Sequence, residues 1–273
     1  MNEKMDKFIT ITKTQHPSKN KRYSITFGEV AISHLGSKEI GEGIRDKGYS
    51  VVELEKIALQ FPETGTLHYL HSELPFIDTD CKAATLVIKN GINIILGEGS
   101  SDLLLQEQFG LQYDQKYYDS RRGKTMNKRS RMNTVFGPTS ICHSEDYKQY
   151  TVVGFNELPH LDIMREKLSE VFGIKAKNLN AEGNLYFESK SGIGFHGDAE
   201  RKIVICLSLG ASSTLRYRWR AAQSVENTLD PIDLVLEHGD IYIMSEKATG
   251  YDWHNFGKWR LVHAAGHSKY IGK

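Results

Sequence analysis

Apolar and polar positions alternate through Tyr23-Ser24-Ile25-Thr26-Phe27, which predicts a strand with one apolar and one polar face. Between residues 50 and 61, Val51, Leu54, Ile57, Ala58 and Phe61 recur at helical spacing, and Pro62 ends the run. Residues 83–88 and 92–96 are two short apolar runs. They read as strands joined by a hairpin turn at Lys89-Asn90-Gly91. Ser100 or Ser101 then caps a short helix carrying Leu103, Leu104 and Leu105. Residues 150–155 read as another strand. Residues 158–172 read as an amphipathic helix with Leu161, Met164, Leu168, Val171 and Phe172 on one side and Gly173 as its C-cap. From Asn184 onward the pattern is nearly all strand and turn. Strands repeating roughly every ten residues predict an all-β sandwich or barrel.

Composition adds few constraints. The chain has 273 residues, 39% of them hydrophobic and 25% charged, which is long enough and apolar enough for a large globular core. A net charge of +1 supplies no global field, so any attraction for nucleic acid has to come from a local patch. Cys81, Cys142 and Cys206 are far apart and odd in number, which argues against a disulfide framework and a structural zinc site. No signal-peptide core and no membrane-length apolar stretch is found. The expectation is an intracellular monomer, cytoplasmic or nuclear. The organisation read from composition is a polar tail over 1–22, an α/β extension over 23–140 and a β-rich core over 141–273.

The chemistry concentrates at His196-Gly197-Asp198. An imidazole and a carboxylate two residues apart at a strand end point to the same side. With one distant histidine they make a facial triad for Fe(II), which leaves positions open for oxygen and a cosubstrate. His254, His263 and His267 are the downstream candidates. His263 is preferred because Trp259-Arg260-Leu261-Val262-His263-Ala264-Ala265-Gly266 reads as a strand, whereas His254 lies in a loop-like stretch. A second His-Gly-Asp at 238–240 reads as a turn in which the Asp bonds its own backbone.

Asn184-x-Tyr186, His196-x-Asp198, Glu200-Arg201, Ser208-Leu209-Gly210 and Leu236-Glu237-His238-Gly239-Asp240 together resemble the core of the AlkB-like Fe(II)/2-oxoglutarate dioxygenases. The resemblance covers about residues 150–273. It implies a double-stranded β-helix, or jelly roll, mainly β with an α/β N-terminal extension. It also implies Fe(II), 2-oxoglutarate and O2 as cofactors, with Asn184 and Tyr186 bonding the cosubstrate. Such proteins hold the far carboxylate of 2-oxoglutarate with an arginine on the final strand. This chain departs from that pattern, because only Lys269 and Lys273 follow His263. Those two lysines are the expected anchors, with the alternating Arg216, Arg218 and Arg220 as substitutes.

One further segment stands out. Seven of the sixteen residues 116–131 are Lys or Arg, and Tyr117 and Tyr118 lead into the run. Arg121, Arg122, Lys124, Lys128, Arg129 and Arg131 are the expected substrate-binding residues, with nucleic-acid phosphates as partners and the tyrosines stacking on bases. The combined expectation is oxidative demethylation or hydroxylation of a nucleic-acid base, as in repair of alkylated DNA. The alternatives are the same chemistry on a protein side chain or small molecule, or a jelly-roll binding module without catalysis.

Overall fold

A computed structural model describes residues 21–29, 46–72, 74, 79–188, 190–221 and 229–272. Nearly all of the tail expected over 1–22, together with Lys273, lies outside the described residues. In chain order the elements are β1 (Arg22–Gly28), α1 (Val51–Ala58), β2 (Gly65–Tyr69), β3 (Ala84–Ile88), α2 (Gly91–Leu96), α3 (Ser100–Phe109), β4 (Lys116–Asp119), β5 (Lys124–Asn127), β6 (Met132–Gly137) and β7 (Val152–Gly154). There follow α4 (Pro159–Phe172), β8 (Asn180–Tyr186), β9 (Gly192–His196), β10 (Val204–Gly210), β11 (Ser213–Arg220), β12 (Ile232–Leu236), β13 (Ile241–Met244), β14 (Arg260–Gly266) and α5 (Ser268–Ile271).

Two sheets face each other. The larger has eight strands in the order β2-β3-β13-β10-β1-β8-β6-β7, and the smaller has four in the order β12-β11-β14-β9. β4 and β5 form a separate hairpin. The architecture is the mainly-β jelly roll of the expectation. Strand alternation assigns the two cores. Val87, Val204, Cys206 and Met244 of the large sheet pack against Leu215, Tyr217, Trp219, Leu234 and Leu261 of the small one. Residues of opposite parity, among them Tyr23, Ile25, Phe27, Ile205 and Leu207, pack beneath Leu54 of α1, Leu104 of α3 and Leu161 and Leu168 of α4. The α4 helix thus covers the outside of the large sheet. The helix pattern at 158–172 predicted this placement.

The division at residue 140 is not a division of the fold. β1 sits inside the large sheet, antiparallel to β8 on one side and β10 on the other, with Ser24 opposite both Asn184 and Ser208. β3 and β6 belong to the same sheet. The N-terminal half therefore builds the jelly roll and does not merely cover it. A second correction concerns residues 92–96, which are helical in α2 and not a hairpin strand. Asn90 adopts a left-handed conformation, its N–H donates to the buried Asp240 carboxylate at 3.0 Å, and Ile92 N–H donates to Gly239 O at 3.0 Å. Short apolar runs carry no periodicity that separates helix from strand, so this tertiary docking decides. In α3 the N-cap is Gly99, one residue before the serines expected there. No helix among the described residues is long and apolar enough to cross a membrane.

Candidate metal centre and cosubstrate cleft

His196 is the last residue of β9, and Asp198 lies two residues on, where its N–H donates to Thr249 O at 2.8 Å. His263 is central in β14 and pairs directly with His196 across the small sheet, at an irregularity in the ladder. The ligand atoms of His196, Asp198 and His263 all lie within 4.8 Å of one another. His196 Nε2 is 3.5 Å and His263 Nε2 is 3.9 Å from Asp198 Oδ1. His196 Nδ1 lies 2.9 Å from Gly194 O, and a carbonyl only accepts, so Nδ1 carries the proton and Nε2 keeps its lone pair toward the cluster.

Electrostatics favour the metal-binding forms. Burial alone would raise the Asp198 carboxyl, but the facing His196 and His263 side chains and the Arg201 guanidinium outweigh it and hold the group below the usual carboxylate range. His263 is pushed down to about 4 by burial, with His196 and Arg201 adding to the effect and Asp198 opposing it. At neutral pH the cluster is therefore an uncharged imidazole beside a carboxylate, the protonation states in which such side chains donate to a divalent metal. Two nitrogen donors and one oxygen donor converging from one side fit Fe(II).

Space for the pair's glycine is tight. A Cβ on Gly197 would stand 2.2 Å from Gly250 O and 2.7 Å from Trp253 Cβ, so the loop after β13 is seated directly on the His-Gly-Asp turn.

The three side chains line one end of a cleft of about 280 Å³ between the sheets, together with Ser24, Thr26, Asn184, Tyr186 and Arg131. Asn184 and Tyr186 share one face of β8, as their spacing predicts, and Arg131 Nε donates to Asn184 Oδ1 at 2.6 Å. Arg201 is 4% exposed and bonds Glu182 at 3.2 Å, with Glu200 at 3.8 Å.

Several expected residues lie elsewhere. Lys269 is on α5, exposed, with its ammonium over the Tyr270 ring, because β14 ends at Gly266 and the chain turns out of the sheet. Lys273 is outside the described residues. Arg216, Arg218 and Arg220 occupy the face of β11 opposite Leu215, Tyr217 and Trp219, and so point away from the cleft. Arg216 is paired with Asp233 at 2.6 Å, and Arg218 covers Phe195. His254 is exposed beside Trp253, and His267 caps α5. His238 accepts from Gly210 N–H at 3.0 Å, and Asp240 accepts from Glu237 N–H at 2.8 Å, so the second His-Gly-Asp is a turn.

The basic segment folds as the β4–β5 hairpin. Arg121, Arg122, Lys124 and Arg129 are exposed. Asp119 closes the turn by accepting from Arg121 and Arg122 N–H at 3.0 and 3.1 Å. Lys128 turns inward to Asn133, lies over Tyr150, and is lowered to about 8 by burial. The reading of the sequence missed Ser24 and Thr26 as cleft residues. Their signal was a polar face on a strand whose other face is wholly apolar.

Residues 93–258, more than half of the chain, match the model of the 2OG-Fe(II) oxygenase superfamily. The chain belongs to the 2OG-Fe(II) oxygenase superfamily. It is an Fe(II)/2-oxoglutarate-dependent dioxygenase, an oxidoreductase using Fe(II), 2-oxoglutarate and O2. The match contains His196 and Asp198 but ends before His263. An uncharacterized protein of Acanthamoeba polyphaga mimivirus is 36% identical over 256 residues, 91% of this chain and 96% of the relative.

Proposed function

We propose that this oxygenase is AlkB-like and oxidises a nucleic-acid base, with His196, Asp198 and His263 as the iron ligands and Asn184 and Tyr186 as hydrogen-bonding partners of 2-oxoglutarate. Bound together, iron, oxygen and cosubstrate supply the oxidation of a C–H bond. One oxygen atom enters the substrate and the other leaves in succinate, with CO2 released. On an N-methyl group the product is an N-hydroxymethyl, which sheds formaldehyde and leaves the N–H base. The residues of the chain hold the reactants. His196 presents Nε2 because Gly194 fixes its proton on Nδ1, Asp198 stays ionised, and burial keeps His263 uncharged.

The observation that carries the substrate reading is the continuity of the basic hairpin with the cleft. The segment that exposes Arg121, Arg122, Lys124 and Arg129 ends at Arg131, which lines the metal cleft beside Asn184. A strand held by its phosphates on the hairpin would present an unstacked base to the cleft mouth. Tyr118, under the Lys148 ammonium at 4.9 Å, and Tyr117 offer stacking surfaces on the same hairpin.

The test is formaldehyde release from N-methylated single-stranded DNA and RNA, in step with succinate. Binding should weaken with salt by about 0.7 log units per log unit for each phosphate held. Succinate formation that no methylated DNA or RNA stimulates, together with salt-insensitive binding, would move the substrate to a protein side chain or a small molecule.

A further inference from the structure

The cosubstrate is a dicarboxylate. One end chelates the metal, and the other carries a full negative charge into the space between two sheets. A buried carboxylate without a cation is strongly disfavoured, yet the final strand turns none into the cleft, because Arg260 at its start donates to Trp253 O and Ala221 O over the Phe256 ring. β14 faces the cleft with His263 and Ala265, and Lys269 has left the sheet.

Of the cations in the cleft itself, Arg131 donates to Asn184 and Arg201 is held by Glu182 and Glu200, and a further one stands at the other end of the chain. Arg22, Ser24 and Thr26 alternate on β1, so they share one face, and Ser24 and Thr26 line the metal cleft. Arg22 is 5% exposed. Its guanidinium lies 5.3 Å from the Tyr186 ring centre and donates to the Ser213 hydroxyl. Its Nε is buried and has no hydrogen-bonding partner among the described residues. No ion pair to it is found among them either, and Glu188, exposed at the rim of the same cavity, does not approach within salt-bridge distance. Such a guanidinium is costly to bury unless an anion completes it. The cavity it faces, of about 340 Å³, is lined also by Tyr186, Ser213, Thr214 and Gly266. Tyr186 lines this cavity and the metal cleft alike.

We propose that Arg22, with Ser213 and Tyr186 beside it, binds the far carboxylate of 2-oxoglutarate. Resting on the assignment of His196, Asp198 and His263 as the metal site, it gives the first strand a task that the chain's order in sequence hides. β1 lies between β8 and β10, directly opposite Tyr186 and Gly210 at Arg22. A fork of N–H donors can grip a carboxylate with two bonds, which a lysine on a surface helix cannot do.

The experiment compares two ligands calorimetrically on the Mn(II)-loaded protein without oxygen. They are 2-oxoglutarate and 2-oxopentanoate, which keeps the chelating end and replaces the far carboxylate by a methyl group. Wild type should prefer 2-oxoglutarate by about a hundredfold or more, the size expected when one partner of a buried charge pair is missing. Arg22→Met should abolish that preference by weakening 2-oxoglutarate alone, and Lys269→Ala should keep it. Should Arg22→Met fail to fold, Ser213→Ala reads the same site, with a loss of about fivefold or more confined to 2-oxoglutarate. Retention of the preference by Arg22→Met, or, where Arg22→Met does not fold, a 2-oxoglutarate affinity of Ser213→Ala equal to that of wild type, overturns the proposal. So does a wild type that binds both ligands equally, although chelation at the metal would then stand. A wild type that binds neither ligand overturns the metal-site reading and the proposal together.

Discussion

Replacing Gly197 by alanine adds one methyl group between two proposed iron ligands without touching either. That methyl would stand 2.2 Å from Gly250 O and 2.7 Å from Trp253 Cβ. Carbon and carbonyl oxygen rarely approach closer than about 3.3 Å, so the turn and the 250–253 loop must part by roughly 1 Å. Functional side chains tolerate displacement of only about 0.5 Å before their geometry is lost. Overpacking of this kind costs about 1–3 kcal/mol, and at about 1.4 kcal/mol per decade this corresponds to a loss of about five- to a hundredfold in metal affinity. Calorimetric titration of Mn(II) into folded wild type, Gly197→Ala and Gly257→Ala measures it. Gly257 is the control, because a Cβ there meets only Asn255 Oδ1, at 3.6 Å. Thermal unfolding of the metal-free proteins separates ligand misplacement from general instability. Wild-type metal affinity in a folded Gly197→Ala protein would refute the reasoning.

Three other outcomes are expected. Arg201→Met leaves Glu182 and Glu200 without their shared cation and should cost about 3–5 kcal/mol in chemical denaturation; a loss within error would show that the carboxylates re-solvate. Metal-free protein should lose stability as pH falls from the ordinary histidine value of 6.5 toward about 4, since the unfolded chain protonates His263 in that window and the folded chain does not. The full effect is about 3 kcal/mol, and flat unfolding midpoints across the window would contradict it. Changing Arg121, Arg122, Lys124 and Arg129 to serine should flatten the salt dependence of oligonucleotide binding, whereas Lys128→Ser should leave the slope alone because its ammonium is turned toward Asn133; an equal drop in slope for both would place Lys128 at the phosphates.

Legibility followed sequence distance. The His196-x-Asp198 pair was readable because both residues sit at the end of one strand, and His263 because small and apolar neighbours marked β14 as a strand. That Asn184 and Tyr186 share a face was readable because they are two apart on β8, whereas the role proposed for them came from the family resemblance. The resemblance places the far-carboxylate anchor on the final strand, which points to Lys269 and Lys273, with the β11 arginines as substitutes. Parity on β11 puts those arginines on the outer face, and α5 carries Lys269 away. What brings Arg22 beside Tyr186 is a pairing across more than 150 residues, and alternation within residues 22–28 cannot announce it. The misreading of α2 has a related cause. Asp240 and Gly239, which dock it, are remote in sequence.

The central claim is that His196, Asp198 and His263 together hold one catalytic metal. Its most direct measurement is the metal content of purified, folded wild type, Asp198→Ala, His263→Ala and His254→Ala after equilibration with limiting Fe(II) without oxygen, read beside succinate formation once oxygen is admitted. The account predicts one iron per chain and turnover in wild type and His254→Ala, and loss of both in the other two. Iron and turnover retained by Asp198→Ala or His263→Ala, or lost in His254→Ala, would contradict it.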